Sequence, residues 1–357
     1  MRNNQGENNR TGRISRRRFL QVGAISAAGI YGALCSGRFT PARAAALTGT
    51  HEAMFYKDFG EKRVQCQLCP RICVVEDGQR GYCRVRRNTA GTYHTLVYGK
   101  PVTMQVDPIE KKPFFHVLPA TKSFSLATVG CNIHCLFCQN WQISQASPED
   151  LPAPEVTPAM VLHKARLADC ATIAFTYSEP IVAYEYMYDT ARMRTTGDPR
   201  VVMVSNGFIR KEPLQRFCEV AAAVKIDFKG FSKNFYSTYC DGVLEPVLDT
   251  LKTLAAGKTW YEIVTLLLPG LNDSPAELRD MCAWIKDNLG TMVPLHVTRF
   301  HPTYRMKNLP PTPEESVVRA HDIARTAGLQ YVYVGNLPGN KYENTYCHSC
   351  GEKVITR

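Results

Sequence analysis

From residue 124 to residue 334, short β-branched or apolar segments alternate with helix-like stretches, and this alternation leaves few folds open. The candidate strands are 124–129, 172–176, 201–205, 224–228, 263–267 and 295–299, with a seventh at 331–334. The helices between them have readable starts. Ser274-Pro275-Ala276-Glu277 is a capping box with Pro at the first helical position, and Leu278, Met281, Cys282, Ile285 and Leu289 then share one face. Thr157-Pro158 and Thr312-Pro313-Glu314-Glu315 open two more helices in the same way, and 181–193 is a further helical pattern. Repeated strand–helix units imply a parallel sheet with helices outside it, either doubly wound or an incomplete barrel. Six or seven strands are too few to close an eight-fold barrel. The expected fold is therefore α/β, a partial (β/α)6 TIM-like barrel over 119–335, preceded by a small cysteine-rich module over 45–118 and followed by a tail over 336–357.

Polar residues fall in a pattern on this scaffold. At or just past the carboxyl end of successive strands stand Cys131, Ser178 with Glu179, Ser205 with Asn206, Asp227 with Lys229, and Arg299 with His301. In parallel α/β folds that rim is where loops converge over an apolar core, and where ligands bind.

The loop after the first strand reads Gly130-Cys131-Asn132-Ile133-His134-Cys135-Leu136-Phe137-Cys138. Its three thiols are one too few for a closed zinc site, and an odd number cannot pair off as disulfides. A [4Fe-4S] cluster held by Cys131, Cys135 and Cys138 would leave one iron open to the amino and carboxylate groups of a methionine moiety. One electron from the reduced cluster could then break the sulfur–C5′ bond of S-adenosylmethionine and release a 5′-deoxyadenosyl radical.

This spacing, with Phe137 before the third cysteine, resembles the signature of the radical S-adenosylmethionine (SAM) superfamily. The resemblance extends over 54–357. Cys66-Gln67-Leu68-Cys69-Pro70, Asp107-Pro108-Ile109-Glu110-Lys111-Lys112-Pro113, Cys138-Gln139-Asn140-Trp141 and Glu343-Asn344-Thr345-Tyr346-Cys347 are similar to the radical enzyme of the AmmeMemoRadiSam system, a relative of the pyruvate formate-lyase activating enzymes. The resemblance implies an oxidoreductase that abstracts hydrogen, with a glycyl Cα on a partner protein as one candidate substrate. It also implies a low-potential electron donor and AmmeMemoRadiSam system proteins as partners. Where the family has a Gly-Gly-Glu-Pro-like turn for the methionine amino group, this chain has Tyr177-Ser178-Glu179-Pro180, without the glycines. Ser205 and Asn206 match the segment that contacts ribose or carboxylate. Asp227-Phe228-Lys229 is similar to the Asp-x-Lys of glycyl-radical activases, so Asp227 and Lys229 are the catalytic candidates. Phe137, Ser178, Glu179, Ser205, Asn206 and Arg299 are the cofactor-binding ones. Each pair has a plainer reading: Ser205 and Asn206 as a strand-to-helix turn, Asp227 and Lys229 as a strand-end ion pair, Arg299 and His301 as structural hydrogen bonders. Modification of a small molecule and a non-catalytic metal-binding scaffold are the rival functions.

The chain has fourteen cysteines. A second group, Cys66, Cys69, Cys73 and Cys83, could close a tetrahedral site holding structural zinc or an auxiliary iron–sulfur cluster, or pair as two disulfides. Cys347 and Cys350 form a lone Cys-x2-Cys that could join that group or act as a redox pair. Cys170, Cys218, Cys240 and Cys282 sit in apolar surroundings and read as core.

The net charge of +11 is misleading, because the first 46 residues hold eight Arg against one acid and the remainder carries only +4. That surplus does not support nucleic-acid binding. Ser15-Arg16-Arg17-Arg18-Phe19-Leu20-Gln21, the uncharged run that follows and Ala42-Arg43-Ala44 resemble a twin-arginine export signal over 1–44, which implies a periplasmic address. S-adenosylmethionine and low-potential donors are cytoplasmic, which makes the cytoplasm the alternative.

Overall fold

The computed structural model describes residues 51–357; the expected export signal lies outside the described residues. An eight-stranded sheet organises the chain. Its strands are β1 (Thr103–Pro108), β2 (Lys122–Ala127), β3 (Thr172–Phe175), β4 (Arg200–Ser205), β5 (Ala223–Asp227), β6 (Trp260–Leu267), β7 (Leu295–Arg299) and β8 (Val332–Gly335). From β2 to β8 every neighbouring pair is parallel, and each strand lies beside its predecessor in sequence. The order never reverses, so the sheet lacks the switch point of a doubly wound fold and is the expected partial barrel. All seven expected parallel strands are present.

β1 falls in the segment assigned to the cysteine-rich module, yet it runs antiparallel to β2, with Thr103 opposite Ala127 and Pro108 opposite Lys122. Its alternation is weak and it ends in Pro, both compatible with a sheet edge.

The outer layer consists of α1 (Pro158–Leu167), α2 (Tyr184–Arg192), α3 (Lys211–Cys218), α4 (Leu244–Ala255), α5 (Pro275–Leu289) and α6 (Glu314–Thr326). Thr157 and Ser274 cap α1 and α5 through their side chains, accepting from Met160 N and Glu277 N. Thr312 does not cap α6. Its hydroxyl instead accepts from Phe300 N at 2.9 Å and donates to Leu267 O at 2.5 Å, tying the ends of β6 and β7, and Pro313 becomes the N-cap. Leu278, Met281, Cys282 and Ile285 of α5 and Val317, Ala320 and Ala324 of α6 are buried on the sheet side.

The amino end of the barrel is closed by the segment after β1. Phe115 N and His116 N donate to Glu262 at 3.0 and 2.9 Å, and Glu262 also bonds His296 Nε2 at 2.7 Å. The chemistry is thereby left to the carboxyl end. There sits the cysteine-rich module, two small three-stranded antiparallel sheets anchored by the buried Arg86–Glu185 ion pair. Cys347 and Cys350 flank the turn of a hairpin at the opposite end, where His348 bonds Tyr331 just before β8. No helix among the described residues is long and apolar enough to cross a membrane.

Candidate active site

A cavity of about 440 Å³ opens at the carboxyl edge of the sheet, within the usual range for small-molecule sites. Cys131, Cys135 and Cys138 line it, all on the loop that leaves β2. The loop turns sharply at Gly130, whose φ is +100°; a Cβ there would meet Val85 at 2.7 Å and Cys83 O at 3.1 Å, so glycine is needed. Two backbone bonds then pin the loop to the turn before α4: His134 N donates to Cys240 O, and Leu136 N to Tyr239 O, both at 2.9 Å.

The thiols are not equivalent. Burial pushes Cys131 well above the ordinary thiol value, with the Glu179 carboxylate adding to the effect. Cys135 is raised by a hydrogen bond to the Cys240 thiol and by burial. Cys138 Sγ lies 3.2 Å from Ser144 Oγ. Cys240 is buried, as expected, but its contact with Cys135 was not visible in the sequence.

Around the thiols the rim assembles as follows. Glu179 is 3% exposed and accepts from Ser205 Oγ at 2.8 Å, Asn206 N at 2.8 Å and Ile181 N at 3.1 Å. Burial nevertheless pushes its carboxyl up to about 7. Ser178 Oγ donates to Thr128 O at 2.7 Å, fixing the turn after β3 to the end of β2. Asn206 reaches both Asn132 Oδ1, at 2.8 Å, and Cys131 Sγ, at 3.7 Å. Asp227 and Lys229 point into the cavity from the end of β5, with Lys229 Nζ donating to Asp227 Oδ2 at 2.8 Å. Burial opposes the Lys229 charge, but the Asp227 carboxylate and the neighbouring Cys135 hold its pKa above the ordinary lysine value. Phe137 lines the wall, its ring 5.8 Å from that of Phe235.

Three sequence candidates stand elsewhere. Ser205 holds Glu179 without lining the cavity. Arg299 donates through Nε to Thr312 O at 2.9 Å and approaches Glu314 at the start of α6, away from the thiols. His301 is exposed.

Sequence reasoning assigned no role to Asp107, Lys112 and Tyr177, which form one cluster at the cavity wall. Lys112 is 2% exposed and donates to Asp107 Oδ2 at 2.5 Å and to Tyr177 OH at 2.9 Å; Tyr177 OH also donates to Asp107. Burial works against ionised Asp107, yet Lys111, Lys112 and Tyr177 hold its carboxyl well below the ordinary range. The available signal was Lys111-Lys112-Pro113, two cations ahead of a rigid residue.

The donor set suits an iron–sulfur cluster. Three thiols line a chamber far larger than one ion, and the Lys229 ammonium lies close enough to offset thiolate charge. Cys66, Cys69, Cys73 and Cys83 are absent from this cavity and line a second, smaller one.

The family model described as Radical SAM superfamily matches residues 125–285. The chain is 44% identical over 306 residues to an uncharacterized protein of Methanocaldococcus jannaschii, covering 86% of this chain and 91% of that one. Among solved structures it is similar to a domain of pyruvate-formate lyase-activating enzyme from Bacteroides vulgatus, at 18% identity and TM-score 0.42, over 46% of this chain and 99% of that one. It is also similar to a radical SAM methyltransferase from Sphaerobacter thermophilus, at 15% identity and TM-score 0.47, over 60% of this chain and 66% of that one.

Proposed function

The chain belongs to the radical SAM superfamily, and from that premise we propose that it abstracts a hydrogen atom from a glycyl Cα of a partner polypeptide. Superfamily membership implies a [4Fe-4S] cluster and SAM, which together supply one-electron cleavage of the sulfur–C5′ bond. Cys131, Cys135 and Cys138 would hold the cluster. The surrounding residues of this chain do the positioning. The Glu179 carboxyl, fixed by three donors, presents a hydrogen-bonding face for a cationic amino group. Asn206 braces the first cysteine, and Asp227 at the last position of β5 with Lys229 two residues beyond it places an acid and a base beside the thiols. The observation that carries the reading is the convergence of three thiols with Asp227 and Lys229 in one cavity.

Lys111 and Lys112 on the cavity wall favour a second reading, an anionic small molecule as the hydrogen donor. Anaerobic reconstitution, reduction and analysis for 5′-deoxyadenosine test the core of the proposal, since a non-catalytic scaffold makes none. A partner deuterated at glycine separates the two substrates: deuterium in 5′-deoxyadenosine supports the polypeptide, and its absence alongside deuterium from a labelled metabolite supports the small molecule. AmmeMemoRadiSam system proteins are the first partners to try, with a low-potential donor as the reductant.

The reading of Arg16-Arg17 as export signal leads us to propose a periplasmic location. Fractionation tests it; full-length protein confined to the cytoplasm overturns it.

A further inference from the structure

Independently of the radical site, we propose that Cys66, Cys69, Cys73 and Cys83 hold one structural zinc ion as four thiolates, with the Tyr93 hydroxyl donating to one of the sulfurs.

All four cysteines line a single small cavity of about 20 Å³. A water-sized sphere needs roughly 10–15 Å³ on this scale, so the space suits one ion and is far too small for a four-iron cube. The backbone brings the ligands together. Cys66 N donates to Cys73 O at 2.9 Å, and Ile72 N to Cys69 O at 3.2 Å, so the first three cysteines frame one tight hairpin. Cys83 arrives from the next loop past Gly81. A Cβ at Gly81 would meet Tyr93 Oη at 2.7 Å and Cys73 Sγ at 3.8 Å, so both atoms border the gap that the missing side chain leaves.

Tyr93 supplies an independent sign of a ligand. It is 0% exposed, lines this cavity, and its hydroxyl has no hydrogen-bond partner. A buried donor left unpaired is costly, and a metal-bound thiolate is an acceptor that would satisfy it. Arg86 also lines the cavity, with its N–H groups committed to Glu185, Met54 O and Val182 O. Leu68, Ile181 and Val182 supply an apolar part of the wall, and four thiolates would complete the tetrahedral set a structural zinc site takes. No three of the thiols stand at ligating separation, so the site would form by their turning inward over the cavity they already share. Its use is local bracing: Arg71, within the hairpin, donates to Asn132 O at 2.7 Å, next to Cys131 of the radical site.

The test uses the full chain with Cys131, Cys135 and Cys138 all changed to Ala, which removes the other thiol set. Elemental analysis under anaerobic purification should find one zinc per chain, and additional replacement Cys69→Ser should lose it. Should that variant not fold, cobalt exchange into the parent triple variant provides the second readout: thiolate-to-cobalt charge-transfer bands, shifted in Tyr93→Phe at unchanged metal content. An intact mass lower by four hydrogens, showing two disulfides, overturns the proposal. So does iron with sulfide, iron alone, or four free thiols without metal. Unshifted bands in Tyr93→Phe overturn the role of the hydroxyl.

Discussion

Lys229 Nζ donates to Asp227 Oδ2 at 2.8 Å, and both side chains face the cavity that holds the three loop thiols. If the pair serves the reaction, stability and turnover can be separated. Lys229→Met leaves the carboxylate without its partner and should cost about 1–3 kcal/mol in urea unfolding, at the low end because Asp227 is 32% exposed. The double variant Asp227→Asn with Lys229→Met should recover that stability, while 5′-deoxyadenosine formation stays down by at least about 10-fold, the loss of one interaction of roughly 1.4 kcal/mol. A double variant with native turnover would reduce the pair to a strand-end ion bridge.

The thiol assignments make a sharper prediction. Cys135→Ala should lose cluster iron and all detectable 5′-deoxyadenosine, whereas Cys170→Ala, at the far end of β3 beside Ala168 O, should keep both. Cys240→Ala is the more searching variant, because this thiol touches Cys135 without lining the cavity. Iron content and product should survive it. Loss of iron equal to that in Cys135→Ala would mean that four thiols rather than three hold the cluster.

Arg86 and Glu185 bind the cysteine-rich module to the barrel, and each side chain is only 1% exposed. Removing one partner strands a buried charge, so Arg86→Met should cost about 3–5 kcal/mol. Arg86→Met with Glu185→Gln should be clearly more stable than Arg86→Met alone, since Gln still accepts from Met54 N and carries no charge. A urea double-mutant cycle measures this; additive losses would show that the two side chains act separately.

The parts of this chain that the sequence made legible are those written in local pattern. The parallel strands were readable because β-branched runs buried on both faces need no partner to be recognised. The Cys131, Cys135 and Cys138 set was readable because its ligands lie on one loop. β1 was not, since its residues alternate poorly and its identity depends on pairing with β2. Nor was the cluster of Asp107, Lys112 and Tyr177, whose members are joined across as many as 70 residues. Adjacency to a strand end placed Arg299 correctly along the chain but could not tell that Thr312 O takes its guanidinium. In the same way, the hydroxyl of Thr312 looked like a cap until the ends of β6 and β7 were seen to claim it.

Below the cavity, Lys225 points from β5 into the barrel with its ammonium on Pro113 O, facing Glu262 of β6, His296 of β7 and, one layer up, Asp227. Burial lowers its pKa from 10.5 to about 7, outweighing the pull of Glu262 and Asp227. The unfolded chain keeps this proton up to about 10.5 while the folded chain gives it up near 7, so the unfolded state binds more protons throughout that window. Stability should therefore rise with pH from about 7 toward 10, by up to about 1.4 kcal/mol per unit, and this dependence should level off below 7, where both states hold the proton. Lys225→Met removes the proton from both states. Urea unfolding of the two proteins across pH 7 to 10 should accordingly show wild type gaining on the variant, with the tyrosines common to both cancelling in the difference. Parallel curves would mean that Lys225 keeps its charge inside the barrel, held there by Glu262 rather than stripped by burial.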